Sequence, residues 1–441
     1  MRKTLLLFVL VLSLEASTSI EDTWQSIEIK NSGLKAAKND VSIAQMKKNA
    51  AKSMYLPSVS VTGSYTHLSE KVNLDTSDIS AVMSHLSIPF PSTIDLSEQD
   101  VFLADLQLLW PLYVGGKIDA AQDIYKAAAD EAKALKEMKK DKEFLKLVKC
   151  YYGVVVSELL YKTRLKSKEA LQLHYENAKK LKEQGQIAKI ELLNTKVELD
   201  AAKVDLLKAK HKLELAHSAL NSLVEQNITP SSKLFINSFE KEQEYYESKT
   251  RDDYAGLKIF DAKEKQSKAF ISIKEASYKP EVMAFGNYNL YKDESALMES
   301  LPQWFGGVMV KINLVARNDR SEELEAAKLT KTKIQNLREE SLKNLALLVE
   351  KIYKEMLAAK DEYMLLDSTL ALAEENYRLR TLSFREGLST SVELVDAQMS
   401  LLGAKTKRLN AAYTYVQKLS QLCVLSGERE IFFEFMGEEI E

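Results

Sequence analysis

Apolar residues recur every three or four positions along two long tracts of the chain. The tracts, 112–229 and 303–441, contain no proline and are rich in Ala, Leu, Lys and Glu, which favour helices. In the second tract, Leu345, Leu348, Ile352 and Met356 have the spacing of one helix face. The pattern predicts two helices, 117–184 and 318–386, each of roughly 70 residues and about 100 Å. Only a coiled coil or a helical barrel supports such lengths.

A glycine interrupts each long helical pattern at a matching point. Gly185 follows the first predicted helix and Gly387 the second, and another amphipathic stretch comes after each, at about 190–225 and 390–425. Glycine commonly ends a helix because it adopts the left-handed conformation without strain. We therefore predict two helical hairpins.

Four shorter segments alternate between apolar and polar residues, as β-strands with two unlike faces do. Val59 and Val61, for example, alternate with Ser58 and Ser60. The predicted strands lie at about 57–68, 101–113, 280–291 and 305–315, joined by loop-like connections at about 69–100 and 292–304. Strands near 10 residues suit a tilted path across a bilayer, and a water-soluble sheet with one face on a core fits them equally well. Strands that cross a membrane would have to be pooled from several chains, because four cannot close a barrel and an open edge is not tolerated in hydrocarbon.

The strand pairs and hairpins occur twice. The segment that starts at Tyr55 and contains Pro57 returns at Tyr278 with Pro280, and the segment that starts at Gly185 returns at Gly387, each about 200 residues later. We predict two structural repeats, 20–227 and 228–441. Two apolar triplets that follow the hairpins, 234–236 and 431–433, are interpreted as short strands of a lateral belt.

The first residues have the pattern of a secretory signal peptide. Met1-Arg2-Lys3 precedes an apolar run of about a dozen residues, too short for a membrane anchor, with small residues at Ala16 and Ser19 as cleavage points. We assign 1–19 to the signal peptide. No other stretch has the length of a transmembrane helix without charges, so the mature chain is expected to be exported and to use strands for any membrane insertion.

Composition and motifs argue against nucleic-acid binding and catalysis. The net charge is -3, with no basic excess. The five histidines lack zinc-ligand spacing, and neither a phosphate-binding glycine loop nor a nucleophile elbow is present, so we expect no enzyme, metal or cofactor. Cys150 and Cys423 lie in helical patterns, where buried free thiols are favoured over a disulfide between them.

Three segments of the chain resemble the TolC-type outer-membrane efflux proteins. The segment from Tyr55 through Pro57 is similar to the family's entry into its first membrane strand. The segment from Trp110 to Gly116 is similar to the exit from its second strand, and 384–398 to its periplasmic turn and returning helix. The order, duplication and spacing match over essentially the whole mature chain. In the second repeat, 313–318 departs from the family pattern, which often has Pro and a Gly pair there.

The resemblance implies a mainly α fold with membrane β-structure. Each chain contributes a duplicated strand pair plus a long helical hairpin, and a homotrimer forms a twelve-stranded outer-membrane β-barrel continuous with a periplasmic α-helical barrel. It implies an exit duct of a tripartite efflux or type I secretion system. The partners would be outer-membrane lipid, a periplasmic adaptor (membrane fusion) protein and an inner-membrane transporter.

An acidic residue lies just past each glycine turn, six residues after the glycine. Glu191 and Asn194 share one helix face, as do Glu393 and Asp396. By resemblance, Glu393 and Asp396 match acidic rings at the narrowest point of the pore and Glu191 matches their acidic partner. An ordinary charged first turn of a helix is the alternative. Where the family can carry a hydroxyl-bearing ring and an arginine that hold the end shut, this chain has Phe384 and Ser389, so closure must use other contacts, such as packing of Phe384 or a link through Arg385.

The two turns are predicted to form the exposed tip that docks with the adaptor, through Gly185, Gln186, Ile187, Gly387, Leu388 and Ser389. The alternative function is a soluble periplasmic coiled-coil adaptor or scaffold whose β segments form a globular head. Adaptors usually nest one hairpin within flanking β domains, whereas this chain repeats the strand pair and hairpin.

Overall fold

The computed structural model describes residues 17–237, 241–315 and 320–436. The predicted signal peptide as far as residue 16, and the start of the second long helix at residue 318, lie outside these ranges. The helices are α1 Ile20–Lys30, α2 Ser32–Ala51, α3 Ser77–His85, α4 Lys117–Glu183, α5 Lys189–Val224, α6 Gln243–Asp253, α7 Ala255–Ala276, α8 Ala296–Glu299, α9 Arg320–Arg385, α10 Ser391–Leu425 and α11 Ile431–Glu434. The strands are β1 Ser17–Thr18, β2 Ser58–His67, β3 Asn73–Asp75, β4 Thr93–Asp95, β5 Asp100–Tyr113, β6 Thr229–Pro230, β7 Glu281–Lys292 and β8 Trp304–Lys311.

The chain divides into two compact units. The first comprises the described parts of 1–41, 131–260 and 336–441, and the second comprises 42–130 and 261–335. Within the described ranges, every helix is too short or too polar to cross a bilayer.

The predicted long helices are confirmed as α4 and α9, of 67 and 66 residues, and the returning helices as α5 and α10. Ion pairs join the two arms of each hairpin. Arg164 on α4 lies 3.2 Å from Asp205 on α5, and Arg408 on α10 lies 2.6 Å from Asp367 on α9. Long helices are stabilised mainly by the packing of an apolar face, as where Leu171 on α4 clusters with Leu199 and Ala202 on α5.

A cluster of aromatic side chains forms the core of the first unit. Trp24 packs edge-on against Phe144 with ring centroids 5.2 Å apart, and Phe144 packs in the same way against Phe432 at 5.5 Å. Phe432 lies 5.8 Å from Phe235. All four side chains are essentially fully buried. Edge-to-face contacts of this kind fasten the N-terminal helix and the C-terminal segment to the middle of α4.

The N-terminal strand is held by a tyrosine from α4. β1 pairs in parallel with β6, so that Ser17 lies opposite Thr229. The Tyr151 hydroxyl donates to the Thr18 carbonyl at 2.7 Å and accepts from the amides of Ser231 at 3.0 Å and Ser232 at 2.9 Å. The buried hydroxyl thus satisfies three backbone groups at once.

The second unit contains an antiparallel sheet in the order β2-β5-β7-β8. Its register places Val61 opposite Leu106, Leu106 opposite Tyr288 and Tyr288 opposite Trp304. The apolar positions predicted for the four strands therefore share one face, which is largely exposed: Val61 is 66% and Trp304 is 69% exposed. The four predicted strands are present with their apolar positions alternating, but β8 ends at Lys311 rather than at 315 and carries Phe305 and Met309 on its other face.

The opposite face of the sheet mixes polar side chains with apolar ones such as Leu109, Phe285 and Phe305. The buried Asp105 carboxylate accepts hydrogen bonds from the side-chain amides of Gln107 and Asn287, both at 2.8 Å. The connection after β2 has its own structure, because β3 pairs with β4 around α3. It meets the other connection where the Leu297 amide donates to the Leu96 carbonyl at 2.8 Å.

The short strand predicted at 431–433 is wrong, since this segment forms α11. A triplet of apolar residues fits one helical turn as well as a strand, and the turn buries Phe432 in the aromatic core. The matching triplet at 234–236 contributes a single bridge at Phe235. Cys150 and Cys423 are free thiols, the first half-buried and the second buried.

Candidate functional site

Both helical hairpins turn at a glycine in the left-handed conformation, as predicted. Gly185 has φ of 75° and Gly387 has φ of 73°. After α4, the Gln186 amide donates to the Leu181 carbonyl at 2.9 Å; after α9, the Leu388 amide donates to the Ser383 carbonyl at 2.8 Å. These bonds satisfy carbonyls at the helix ends, so each turn is a Schellman-type stop.

A capping box starts α10 directly after the second turn. The Thr390 hydroxyl accepts from the Glu393 amide at 3.3 Å, and the Glu393 carboxylate accepts from the Thr390 amide at 3.2 Å. The Ser389 hydroxyl also donates to Glu393, at 2.6 Å, and Arg380 lies 3.1 Å away. Hydrogen bonds from Ser389 and Thr390, with the nearby Arg380, hold the pKa of Glu393 below its usual range.

Glu191 connects the two hairpins. It lies in the first turn of α5, and its carboxylate accepts hydrogen bonds from the Ser391 amide, at 3.1 Å, and from the Ser391 hydroxyl. Ser391 is the first residue of α10 and is buried. A carboxylate at a helix start is stabilised by the free amides and the dipole there, although this one comes from the neighbouring hairpin.

Phe384 is buried one turn before the second glycine. Its ring lies 4.3 Å from that of His174 on α4, edge-on at 75°, and it clusters with Ala178 and Leu394. Ile187 packs half-buried against the same cluster. This packing lies within a single chain, and a role of Phe384 in pore closure stays a prediction.

His174 itself is 5% exposed. Burial lowers the pKa of its imidazole to about 4, and the negative charge of Glu191 opposes that shift. The histidine is therefore neutral at neutral pH.

The other predicted site residues differ in accessibility. Gly185 and Gln186 are exposed in the first turn, and Leu388 is 82% exposed in the second. Asn194 is half-buried on α5, and Asp396 is exposed one turn beyond Glu393. The fold thus brings Glu191 to the start of α10, beside Glu393, and leaves Asp396 open to solvent.

Residue patterns alone did not single out His174, Arg380 and Ser391. Thr390 and Glu393 do have the spacing of a capping box, which the sequence displays. Nothing local in the sequence indicates that Glu191 reaches Ser391 or that His174 meets Phe384. Within the described ranges, no group of His, Cys, Asp or Glu has the geometry of a metal site.

Solved outer-membrane channels share this fold. VceC from Vibrio cholerae has a TM-score of 0.75 at 14% identity, over 93% of this chain and 96% of that one. CmeC from Campylobacter jejuni has a TM-score of 0.75 at 14% identity, over 95% and 89% of the two chains. The open state of MtrE from Neisseria gonorrhoeae has a TM-score of 0.74 at 15% identity, over 93% and 89%. The architecture is therefore that of bacterial outer-membrane channels.

The model of the outer membrane efflux protein family matches residues 24–224 and 257–428. The chain belongs to this family. It is an exit duct of the outer membrane that serves efflux, with a helical extension in the periplasm, and its family is one of transport channels rather than enzymes. No curated protein sequence matches the chain.

Proposed function

We propose that the chain works as a homotrimer, within a tripartite efflux or type I secretion system, and that its helical tips form both a closable pore end and the adaptor-docking surface. The observation that carries the proposal is the pair of glycine turns followed by carboxylates at the starts of α5 and α10. Each repeat, 20–227 and 228–441, would supply one strand pair and one hairpin. Family membership argues against the alternative of a soluble periplasmic adaptor.

The case for a trimer comes from the sheet. β2 and β8 are its two edges, and its apolar face is exposed in the single chain. Unpaired strand edges are costly in hydrocarbon, whereas edges pooled from three chains can pair with one another. Crosslinking and sedimentation in detergent should give three chains, and a stable, water-soluble monomer with all four strands ordered would contradict this.

The two faces of β2 offer a matched test of membrane insertion. Val61→Asp places a charge on the apolar face, whereas Thr62→Asp changes the neighbouring residue on the opposite face, which is polar along β2. A charge facing lipid costs far more than one facing water. We expect Val61→Asp to reduce outer-membrane trimer yield severely and Thr62→Asp to reduce it little. Equal yields would refute the lipid-facing assignment.

Adaptor docking would use the exposed part of the tip. Gln186 and Leu388 are its non-glycine residues with exposed side chains, whereas Ile187 packs inward and Ser389 is bonded to Glu393. Leu388→Glu should abolish efflux while leaving trimer yield unchanged, because a charge replaces an apolar contact. The control is the same change at Leu365, 72% exposed and roughly 30 Å away along α9. Normal efflux in a well-assembled Leu388→Glu variant would refute the docking role.

At the pore end, a threefold axis would bring three copies of Glu393 and Asp396 together. Arg380 balances part of the Glu393 charge, whereas Asp396 is exposed. We therefore expect Asp396 to contribute more to cation selectivity, with Glu191, Asn194 and Phe384 shaping the closed end. A ring of carboxylates in a narrow aqueous throat concentrates cations.

Single-channel recording in planar bilayers tests the ring. Glu393→Gln keeps the capping hydrogen bonds, because Gln serves at this position as Glu does. We expect Asp396→Asn to weaken cation selectivity and block by multivalent cations. The double variant, Glu393→Gln with Asp396→Asn, should weaken both properties further. Wild-type selectivity in the double variant would show that the two carboxylates serve only to start the helix.

A further inference from the structure

His174 has an unusual position for a titratable group. It is buried at the contact of α4 with Phe384 of α9, and its Nε2 atom finds no hydrogen-bond partner within the described part of the chain. A buried polar atom without a partner is costly, and a buried charge there costs more. The packing therefore favours the neutral imidazole.

Three other helices, α5, α9 and α10, bring titratable groups to this end of the hairpins. Glu191 on α5 interacts electrostatically with the imidazole. Tyr377 on α9 belongs to the same cluster, and burial raises the pKa of its phenol, so it stays neutral. Arg380 on α9 and Glu393 on α10 are paired with each other. Of these, Glu191 is the anion whose partner can change, since Ser391 holds it only through neutral donors.

We propose that His174 is a positioning residue of the closed tip, and that its protonation draws the Glu191 carboxylate away from Ser391 and loosens the Phe384 contact. Acidification then releases the start of α10 from α5. A charge-assisted bond to an imidazolium is stronger than a bond from a neutral donor, so the exchange of partners is favourable once the proton is bound. The inference rests on the proposed closable tip and adds the periplasmic proton as its regulator.

The size of the effect follows from linkage. The closed arrangement lowers the pKa of His174 to about 4, whereas a solvated histidine titrates near 6.5. Because the histidine pKa is lower in the closed state, the loosened state binds the proton more tightly. The closed state is therefore favoured at neutral pH, and its population decreases as the pH falls below 6.5. From pH 7.5 to pH 5, the loosened population should rise by up to about thirtyfold.

Hydrogen exchange of the intact trimer in detergent measures this population at the Ser391 amide, which donates to Glu191. After correction for intrinsic exchange rates, protection at Ser391 should fall by up to about thirtyfold from pH 7.5 to pH 5 in the wild type. His174→Phe and His174→Gln cannot titrate, and their protection should stay flat; two variants are used in case one does not assemble. His211→Gln is the control, because His211 is exposed on α5 beside Glu214, and its profile should match the wild type.

Single-channel recordings over the same pH range separate this inference from the proposed pore. Equal acid dependence of Ser391 protection in the wild type and both His174 variants would overturn the inference. If Ser391 protection depends on pH in the wild type but not in the His174 variants, and the open probability of the channel changes in the same way, both the switch and the pore-end assignment are supported. If Ser391 protection depends on pH only when His174 is present, but the channel recordings do not change with pH, the His174 contact is supported and the pore-end assignment is overturned.

Discussion

Arg429 offers the most demanding test of how the first unit is held together. Its side chain is 12% exposed, and its guanidinium binds Asp141, while its other terminal nitrogen lies 3.0 Å from Glu137. Both carboxylates are on α4, whereas Arg429 follows α10. Burial raises the pKa of Asp141 above its usual range, and the Arg429 hydrogen bond offsets that shift only in part. Arg429→Met would leave a buried carboxylate without its cation.

Breaking a buried ion pair from one side costs about 3–5 kcal/mol. We expect a loss near 3 kcal/mol for Arg429→Met, since Glu137 is 40% exposed and can be solvated. The sign of the pH dependence follows from Asp141. Without Arg429 the pKa of the Asp141 carboxyl in the native state rises further. The loss of unfolding free energy is therefore complete above that native pKa and disappears as the pH falls to the pKa of an aspartate in the unfolded chain.

Urea unfolding in detergent, followed by the helical circular dichroism signal, measures the loss at pH 8 and at pH 5. Arg429→Met with Asp141→Leu should recover most of the stability, because the uncompensated charge is gone. Arg378→Met is the control: Arg378 forms an exposed two-bond pair with Glu375 on one helix, and we expect little change. A penalty for Arg429→Met that is independent of pH and remains in the double variant would refute the reasoning.

Three further outcomes are expected. Gly387→Ala should lower the free energy of unfolding by about 1–2 kcal/mol through strain at its positive φ. Gly403→Ala should raise it slightly, because Gly403 lies in a helix with open space around it. Equal urea midpoints for the two variants would contradict this. Burial raises the pKa of the Cys423 thiol. Iodoacetamide should therefore alkylate Cys150 in the folded trimer and leave Cys423 unmodified. Comparable alkylation rates of the two cysteines, measured by mass spectrometry, would contradict this prediction. Although 1–19 was assigned to the signal peptide, Ser17 and Thr18 form β1, so intact-mass analysis should find the mature chain starting at Ser17; a start at residue 20 would show that this strand is dispensable.

The periodic elements were predictable because local physics specifies them. Val61 and Leu106 alternate with polar neighbours because one sheet face is apolar, and Gly387 marks a helix end because few other residues adopt its φ. A triplet such as 431–433 is too short for periodicity to distinguish a strand from a helical turn. The connection after β2 was expected to be a loop, yet β3 and β4 pair within it.

The contacts of the candidate site were harder to predict. Glu191 and Ser391 are 200 residues apart in sequence, and the hydrogen bonds between them depend on how two hairpins pack. The same holds for His174, whose neighbour Phe384 comes from the other repeat. Sequence spacing indicated that Glu191 and Glu393 follow equivalent turns, and Thr390 and Glu393 have the spacing of a capping box, but nothing in it indicated that Glu191 would bind the start of α10.

The Tyr151 contact has a consequence for the order of events during secretion. β1 is the first described segment of the chain to leave the inner membrane, yet its strand partner begins at Thr229 and its hydroxyl donor comes from Tyr151. The backbone groups of β1 can therefore hydrogen-bond only to water until the first long hairpin has crossed. During that interval Trp24 and Ile20, which end in the core, are exposed to the periplasm. An exported chain of this design needs a holding chaperone most while its first half is emerging, and less once Ser232 has arrived.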